Sequence, residues 1–451
     1  MARILVVGGG AAGMMAAAVA AKKGHEVLLF EQNEKLGKKL YITGKGRCNL
    51  TNACDREELY KNVVTNPRFL YSAFAKFSNQ ETIAYFNSIG LATKIERGGR
   101  VFPVSDHSSD VIRVLGQELK RRGVKVLLGT KVKEIMDDNG CFALLVTEDE
   151  KKYFGDACIL ATGGLSYPTT GATGDGYRFA SQLGHHVTEL FPSLVSFKLK
   201  EPFPAELEGL SLKNIRVHLV ADLWYGEEKS EIGQQGKKAG SKKKKRRPGE
   251  ILFEDFGELV FTGTGISGPV VLSASSYAAP LFAECAMSFH IDLKPALSID
   301  QLDARILRDF DEAKNKCLKN ALDHLLPQKL IRVIIERSGI SPDRQAGAIK
   351  KGERRQLAGL LKDLYFPVQA CGGYAEAVIT KGGIDVGEIN PSTMESRLVK
   401  GIYFAGEVLD VDALTGGFNL QVAWSSGYLA GLSAAGKDFP VRNGILENEQ
   451  K

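Results

Sequence analysis

Three features of this sequence predict an α/β fold: a parallel sheet interrupted by a long antiparallel insertion and a helical segment. A glycine-rich turn follows the first apolar run. Short apolar strands then alternate with helical stretches as far as residue 160. Strands of the same kind return near residues 374–380 and 401–405, beyond a region of different character. A chain that starts α/β, leaves it and comes back describes one domain split by an insertion rather than two domains in series.

The first element, Ile4-Leu5-Val6-Val7, reads as a buried strand and runs straight into Gly8-Gly9-Gly10-Ala11-Ala12-Gly13. A helical stretch over 14–23, Gly24, a second strand over 26–30 and then Glu31 complete a βαβ unit. Gly8 allows the tight turn, and Gly10 leaves room for backbone to approach a pyrophosphate. Gly13 lets the helix lie close on the sheet, helped by Ala16, Ala17, Ala18, Ala20 and Ala21. The helix start at Ala11 and Ala12 offers unpaired N–H groups and partial positive charge to phosphates. Glu31, 23 positions after Gly8, stands where a carboxylate accepts hydrogen bonds from a ribose diol and disfavours a 2′-phosphate. The opening is a dinucleotide site.

A polar connection, Thr43-Gly44-Lys45-Gly46-Arg47-Cys48-Asn49-Leu50-Thr51-Asn52, comes next. Helical patterns follow over 68–78 and 80–89, an extended piece over 100–103 and an amphipathic helix over 109–122. Strands are expected over 124–128, 131–136, 141–147 and 157–160, the last ending in Ala161-Thr162-Gly163-Gly164. From about Pro192 alternating segments (195–199, 215–223, 250–253, 258–262, 287–292) predict a small antiparallel β domain. Helices dominate 298–364, broken at Pro327 and Ser341-Pro342, before a final helix over 417–434. The expected organisation is therefore 1–191 and 366–451 for the split domain, 192–297 for the β insertion and 298–365 for a helical cap.

Composition narrows the class. The 451 residues carry 44% hydrophobic content, enough for a large core in two or three domains. No run of 18 apolar residues predicts a membrane span, and the fingerprint strand at the very start is read as leaving no room for a leader. Seven cysteines without metal-ligand spacing and seven scattered histidines predict a reduced, cytoplasmic protein with no metal site. The net charge of +6 is local. Eight basic residues lie within 237–247, and without them 51 basic residues face 53 acidic ones. Flanked by glycine and proline and lacking apolar anchors, the loop over 232–249 is expected to be disordered.

Further glycine turns after later strands suit a cofactor bound in extended form. These are Ala161-Thr162-Gly163-Gly164, Thr173-Gly174-Asp175-Gly176, Phe404-Ala405-Gly406-Glu407, and Gly416-Gly417-Phe418-Asn419-Leu420-Gln421 opening a helix. In a flavoprotein the Gly406-Glu407 turn lies near the ribityl and phosphate groups, and the Gly417 turn aims a helix N-terminus at the pyrimidine edge of the ring. FAD is the cofactor these turns predict. The expected contacts are Gly8, Gly10, Ala11, Ala12, Gly13, Glu31, Lys39, Gly46, Arg47, Cys48, Asn49 and Val132. Later in the chain they are Ala161, Thr162, Gly163, Gly406, Glu407, Gly417, Phe418, Asn419 and Leu420. No second Gly-x-Gly-x-x-Gly follows a strand in mid-chain, so NADH or NADPH is expected only as a transient electron donor.

These motifs, with Gly257-Glu258-Leu259-Val260-Phe261-Thr262, Gly265-Ile266-Ser267-Gly268-Pro269, Gly382-Gly383-Ile384 and Met394-Glu395-Ser396, resemble one family from end to end. It is the bacterial and archaeal group of FAD-binding oxidoreductases labelled aminoacetone-oxidase-like or bile-acid-reductase-like. The resemblance implies an FAD domain of glutathione-reductase type, with an inserted β-barrel and a helical cap over the flavin. The pattern of Gly163-Gly164, Tyr167, Thr169-Thr170 and residues 173–176 is also similar to fumarate-reductase-type flavoproteins, which add hydride across an activated alkene.

Such chemistry needs a proton donor and cationic clamps. Arg47, Cys48, Tyr167 and Tyr374 are the catalytic candidates, with Lys45, Arg178, His185 and His186 also available. Thr262, Thr264, Ser267 and Pro269 are expected to border the pocket from a compact loop. Cys48 and Cys54 have five residues between them, which does not match the redox pair of disulfide reductases. The expected activity is hydride exchange between flavin N5 and a small organic substrate, including NAD(P)H-dependent reduction of an activated C=C bond. Two alternatives stay open: an oxidase of a small amine or ketone, and an RNA-associated flavoprotein using the basic run. No aromatic residue interleaves that run, so nucleic acid is not the expected partner.

Overall fold

The computed structural model describes residues 1–200, 207–225 and 247–437; of the basic run only Arg247 lies within them. The chain forms two compact units, Met1–Pro192 with Tyr374–Lys451, and Ser193–Gly373.

The first unit is built on a five-stranded sheet in the spatial order Ile402–Phe404, Ala157–Leu160, Arg3–Val7, Glu26–Glu31, Lys125–Leu128, with every neighbouring pair parallel. Ile4, Leu5, Val6, Ile159 and Leu160 are fully buried, as expected of strands covered on both faces. The first helix, Ala11–Ala21, buries nearly all its residues because it is sandwiched between that sheet and the long helix Phe418–Gly436. Small residues permit this approach. A Cβ at Gly427 would stand 2.4 Å from the Ala12 carbonyl oxygen, and one at Gly431 would stand 2.4 Å from that of Ala16. The amphipathic helix Ser108–Arg121 and the antiparallel strands Val132–Asp138 and Cys141–Thr147 form where the sequence places them, and an unforeseen third strand, Lys152–Phe154, pairs with the second of these. The expected strand over 374–380 shrinks to Ile379–Lys381; turn residues precede it.

The second unit is a closed barrel in the order Phe197–Leu199, Gly265–Ser267, Glu250–Thr262, Ser211–Trp224, Cys285–Asp292, Leu364–Cys371, with helices Ile299–Glu312, Gln328–Ser338 and Lys351–Lys362 sharing its hydrophobic core. Three expectations are corrected here. Segments 250–253 and 258–262 are one strand, since the charged stretch Glu254-Asp255 faces outward and does not end the ladder. The compact loop over 263–268 is mostly the strand Gly265–Ser267, pressed so close to its neighbour that a Cβ at Gly265 would lie 1.9 Å from the Phe197 oxygen. Residues 364–371, read as helix end and return to the first domain, are the strand that closes the barrel. Its alternation (Leu364, Phe366 and Val368 inward) is masked in sequence by Pro367. The helix Pro269–Ala278 went unforeseen; Pro269 at its first turn starts it.

Candidate flavin-binding site

The first glycine turn is fixed by close approach. Gly8 has φ 106°, and its Cβ would meet the Ala161 oxygen at 2.4 Å. A Cβ at Gly13 would lie 1.8 Å from the Gly8 oxygen, whereas one at Gly10 would meet nothing within 4 Å. The turn is therefore closed on the sheet side and open at Gly10, where the helix Ala11–Ala21 begins without a side-chain cap. Its first N–H groups have no intrahelical acceptors. Glu31, buried at the end of its strand, accepts from the Gly9 N–H (2.8 Å) through one oxygen. Through the other it accepts from the Asn33 N–H (2.8 Å) and side-chain amide (2.7 Å). A carboxylate offers about four lone-pair sites, so the chain occupies three and leaves room for a ribose hydroxyl.

A second uncapped helix start lies at Gly417, held at φ 99° because its backbone abuts Thr51, whose oxygen a Cβ would meet at 2.5 Å. The contacts of Gly427 with Ala12 and of Gly431 with Ala16 make the two helices run in the same direction. Gly427 is nine residues beyond Phe418 and Ala12 one beyond Ala11, so the two N-termini are staggered by eight residues, about 12 Å at 1.5 Å per residue. Two like-directed positive ends at that spacing suit a diphosphate at one and the pyrimidine edge of a flavin at the other. Two side-chain oxygens on expected contact residues, Asn49 Oδ1 and Thr162 Oγ1, are buried without a protein partner. Buried polar atoms are seldom left so, and a polar cofactor satisfies them. The residues fit FAD.

The connection after the second strand is rigid. Lys45 (φ 58°) and Cys48 (φ 59°) adopt left-handed backbone, a cost of about 1 kcal/mol each. Hydrogen bonds from the Cys48 N–H to the Thr43 oxygen (3.0 Å) and from the Leu50 N–H to the Val101 oxygen (2.8 Å) hold it. Thr51 Oγ1 donates to Gln421 Oε1 (2.6 Å), and Trp424 Nε1 donates to the Leu50 oxygen (2.9 Å), which locks the connection to the start of the long helix.

Several candidates are already committed to protein partners. Arg47 pairs with Glu96 and Asp106 at 2.5 Å each and lies over the Phe102 ring. These carboxylates hold its guanidinium above the ordinary range and both of theirs below it. It is a structural ion pair, not a free substrate clamp. Cys48 is fully buried, which pushes its thiol up to about 12. It carries no thiolate at neutral pH, so native protein is expected to leave Cys48 unmodified by iodoacetamide at mildly alkaline pH, while unfolded protein reacts. Peptide mass analysis checks this, and rapid native alkylation would show the thiol to be accessible and ionised. Lys39 Nζ donates to Glu407 Oε2 (2.6 Å) and Ser166 Oγ (2.5 Å), and Glu407 Oε1 accepts from Ser166 Oγ (2.7 Å) and the Thr380 N–H (2.8 Å). Asn419 spends its amide on Ala413 and Leu414. Gly406 (φ 79°) approaches Ala12, and its N–H donates to Ser426 Oγ; Gly46 and Gly163 are left-handed and open. Val132 is buried in its strand, Phe418 is buried and Leu420 is half-buried.

Of the catalytic candidates, Tyr167 (φ 54°) and Tyr374 are brought together: the Tyr167 N–H donates to the Tyr374 oxygen at 3.0 Å. Arg178 is taken by Asp175 and the Phe179 ring. His185 is buried between Glu388 Oε2 (3.1 Å) and Ser396 Oγ (2.8 Å), with its ring edge-on to Phe404; His186 is exposed. Burial outweighs the Glu388 carboxylate and lowers the His185 value. The folded state thus favours the neutral ring. Stability from this group is full above the unfolded value of about 6.5 and is lost as pH falls below it. The stability gap between wild type and His185→Gln is expected to narrow as pH drops from about 7 to 5, read by urea unfolding; a constant gap would mean that the ring does not titrate. Ser166, Thr380 and Ser426 are the site-building residues that sequence reasoning missed, and no motif marks them; Gln421 stood at the end of the Gly416–Gln421 motif, but its bond to Thr51 was not foreseen. Thr262, Thr264, Ser267 and Pro269 belong to the second unit.

A parallel sheet with two staggered helix starts and orphaned polar atoms on the intervening turns defines an FAD-binding oxidoreductase. The chain belongs to the family described as HI0933-like protein Rossmann domain, whose model matches residues 2–433. It is similar to a 3-dehydro-bile acid delta(4,6)-reductase of Clostridium scindens, 32% identical over 411 residues that cover 91% of this chain and 93% of the relative. It is as similar to a ribosomal RNA dihydrouridine synthase of Haemophilus influenzae, 33% identical over 435 residues covering 95% of this chain and 97% of that one. The ribosomal RNA dihydrouridine synthase of Escherichia coli is 32% identical over 429 residues, covering 94% and 96%. Among the described residues no helix is long and apolar enough to cross a membrane, and no group of three or more His, Cys, Asp or Glu could hold a metal ion.

Proposed function

We propose that this chain reduces a carbon–carbon double bond conjugated to a carbonyl group. One observation carries the reading: relatives matched along almost their whole length act on unrelated molecules by one reaction. A delta(4,6) bond system beside a 3-oxo group and the C5=C6 bond of uridine beside its C4 carbonyl both accept hydride at the carbon remote from the oxygen. FAD, when bound and reduced, would supply the hydride. The uncapped N-terminus at Gly417 offers backbone N–H groups to negative charge on the flavin pyrimidine, worth about 0.3–2 kcal/mol. Tyr374 is the favoured proton donor. Its phenol carries a proton at neutral pH, as an ordinary phenol does, and its backbone oxygen accepts from the Tyr167 N–H. NADH or NADPH serves as the transient source of electrons.

The substrate has two readings. A small enone is the first. A uridine in ribosomal RNA is favoured by two relatives and by the eight basic residues within 237–247, which suit a phosphate backbone despite the lack of interleaved aromatics. The test is anaerobic: reduce the bound flavin with NADPH or dithionite, then mix with a steroid enone or with ribosomal RNA lacking dihydrouridine. Flavin reoxidation and product mass are followed. Saturation of either substrate supports the reaction and selects its carrier; reoxidation by neither, with oxygen still effective, would overturn it in favour of an oxidase.

A further inference from the structure

The geometry points to the loop over residues 165–173 as a strap that retains FAD by its adenosine half, latched by Gln32 and Asn33. The inference rests on FAD lying along Gly8–Gly13 and Glu31. Beyond Glu31 the strand end is enclosed on two sides. On one, the Gly129 N–H donates to the Asn33 oxygen and the Thr130 N–H to the Glu31 oxygen, both at 3.0 Å. On the other lies the loop. Gln32 Nε2 donates to the Gly171 oxygen at 2.5 Å, and Asn33 Nδ2 donates to the Thr170 oxygen at 3.2 Å while also donating to Glu31 Oε1 at 2.7 Å. One amide thus joins the ribose-binding carboxylate to the loop.

Contact between the two is close. Gly171 has φ 94°, and a Cβ there would lie 2.5 Å from Asn33 Nδ2, so only glycine lets the strap sit down on the strand end. The strap's N-terminal end is anchored separately. The Leu165 and Ser166 N–H groups donate to Thr380 Oγ1 (2.8 and 3.2 Å), and the Tyr167 N–H donates to Tyr374. Its other end is set by the Thr173–Asp175 side-chain hydrogen bond (2.6 Å) at the start of the helix Asp175–Gln182. Left-handed Gly163 and Gly174 flank it, and Tyr167 is a strained, non-glycine left-handed residue within it. The middle of the strap is therefore held down by the two side chains from residues 32 and 33. Release of the adenosine half of a tightly held cofactor requires these bonds to open.

Gln32→Ala separates this role from cofactor recognition, because Gln32 bonds the strap and leaves the Glu31 partners intact. Purified holoprotein is diluted into buffer containing excess ADP to block rebinding, and FAD release is read as the rise of free-flavin fluorescence. ADP release from apoprotein is measured in parallel. Gln32→Ala is expected to speed both by about fivefold, the equivalent of one neutral hydrogen bond, with the flavin spectrum of the holoprotein unchanged. Asn33→Ala should speed release further and also weaken equilibrium binding. Release of FAD and ADP at the wild-type rate from Gln32→Ala would overturn the strap. Wild-type apoprotein that binds neither FAD nor ADP would instead overturn the cofactor placement on which it rests.

Discussion

Gly13→Ala is expected to yield protein that purifies without flavin and unfolds at a lower temperature. The added methyl carbon would lie 1.8 Å from the Gly8 carbonyl oxygen and 3.4 Å from the Ala161 Cβ. That oxygen is backbone inside the turn and cannot rotate aside, so the helix Ala11–Ala21 must lift from the sheet. Lifting it disturbs the contacts of Ala12 with Gly427 and of Ala16 with Gly431, and with them the spacing of the two helix starts. Overpacking of this kind costs about 3 kcal/mol. Gly10→Ala is the control. Its methyl group meets no protein atom within 4 Å, so the apoprotein should melt like wild type while its FAD affinity falls. The flavin-to-protein absorbance ratio and the apoprotein melting curve measure both. A yellow Gly13→Ala protein of normal stability would show that the turn is not packed as described.

Glu407→Ala should destabilise the first unit by about 2 kcal/mol. The carboxylate is the shared acceptor for Lys39, Ser166 and the Thr380 N–H, and both charged side chains of the pair are largely shielded, 27% and 19% exposed. Removing it leaves a partly buried ammonium with only Ser166 Oγ as acceptor and the Thr380 backbone donor with none from this carboxylate. Glu407→Gln should recover part of the loss, since its carbonyl oxygen can still accept from Ser166 and Thr380. Urea unfolding of apo and FAD-loaded protein distinguishes a structural role from a cofactor role: an equal loss in both forms is structural. No measurable loss in either form would mean that the four-group network contributes nothing.

How much of this site could be read in advance depended on the range of the interaction. Gly8, Gly10 and Gly13 were legible because their constraint is local: backbone conformation and approach distances that a Cβ forbids. Glu31 was legible by its distance from that turn, although its hold on the Gly9 N–H was not. The Lys39–Glu407 pair spans 368 positions, and nothing in either neighbourhood names the other. Arg47 illustrates the opposite error. Its setting beside Lys45 and Cys48 suggested a clamp, but Glu96 and Asp106, 49 and 59 residues away, had already neutralised it. The closing barrel strand Leu364–Cys371 was hidden because a strand of the barrel wall depends on partners far along the chain, here Cys285–Asp292 and Phe197–Leu199.

Alone, the sequence determined the α/β class, the split of one nucleotide-binding domain by an insertion, and the glycines on which the cofactor turns depend. Each of these follows from short-range sterics and hydrophobic periodicity, which a linear string carries. Tertiary structure decided which charged and nucleophilic groups remain available. Cys48 is shut in the core, Arg47 and His185 are paired, and Tyr167 and Tyr374 are joined, because burial and hydrogen-bond partnership are set by residues that only folding brings together.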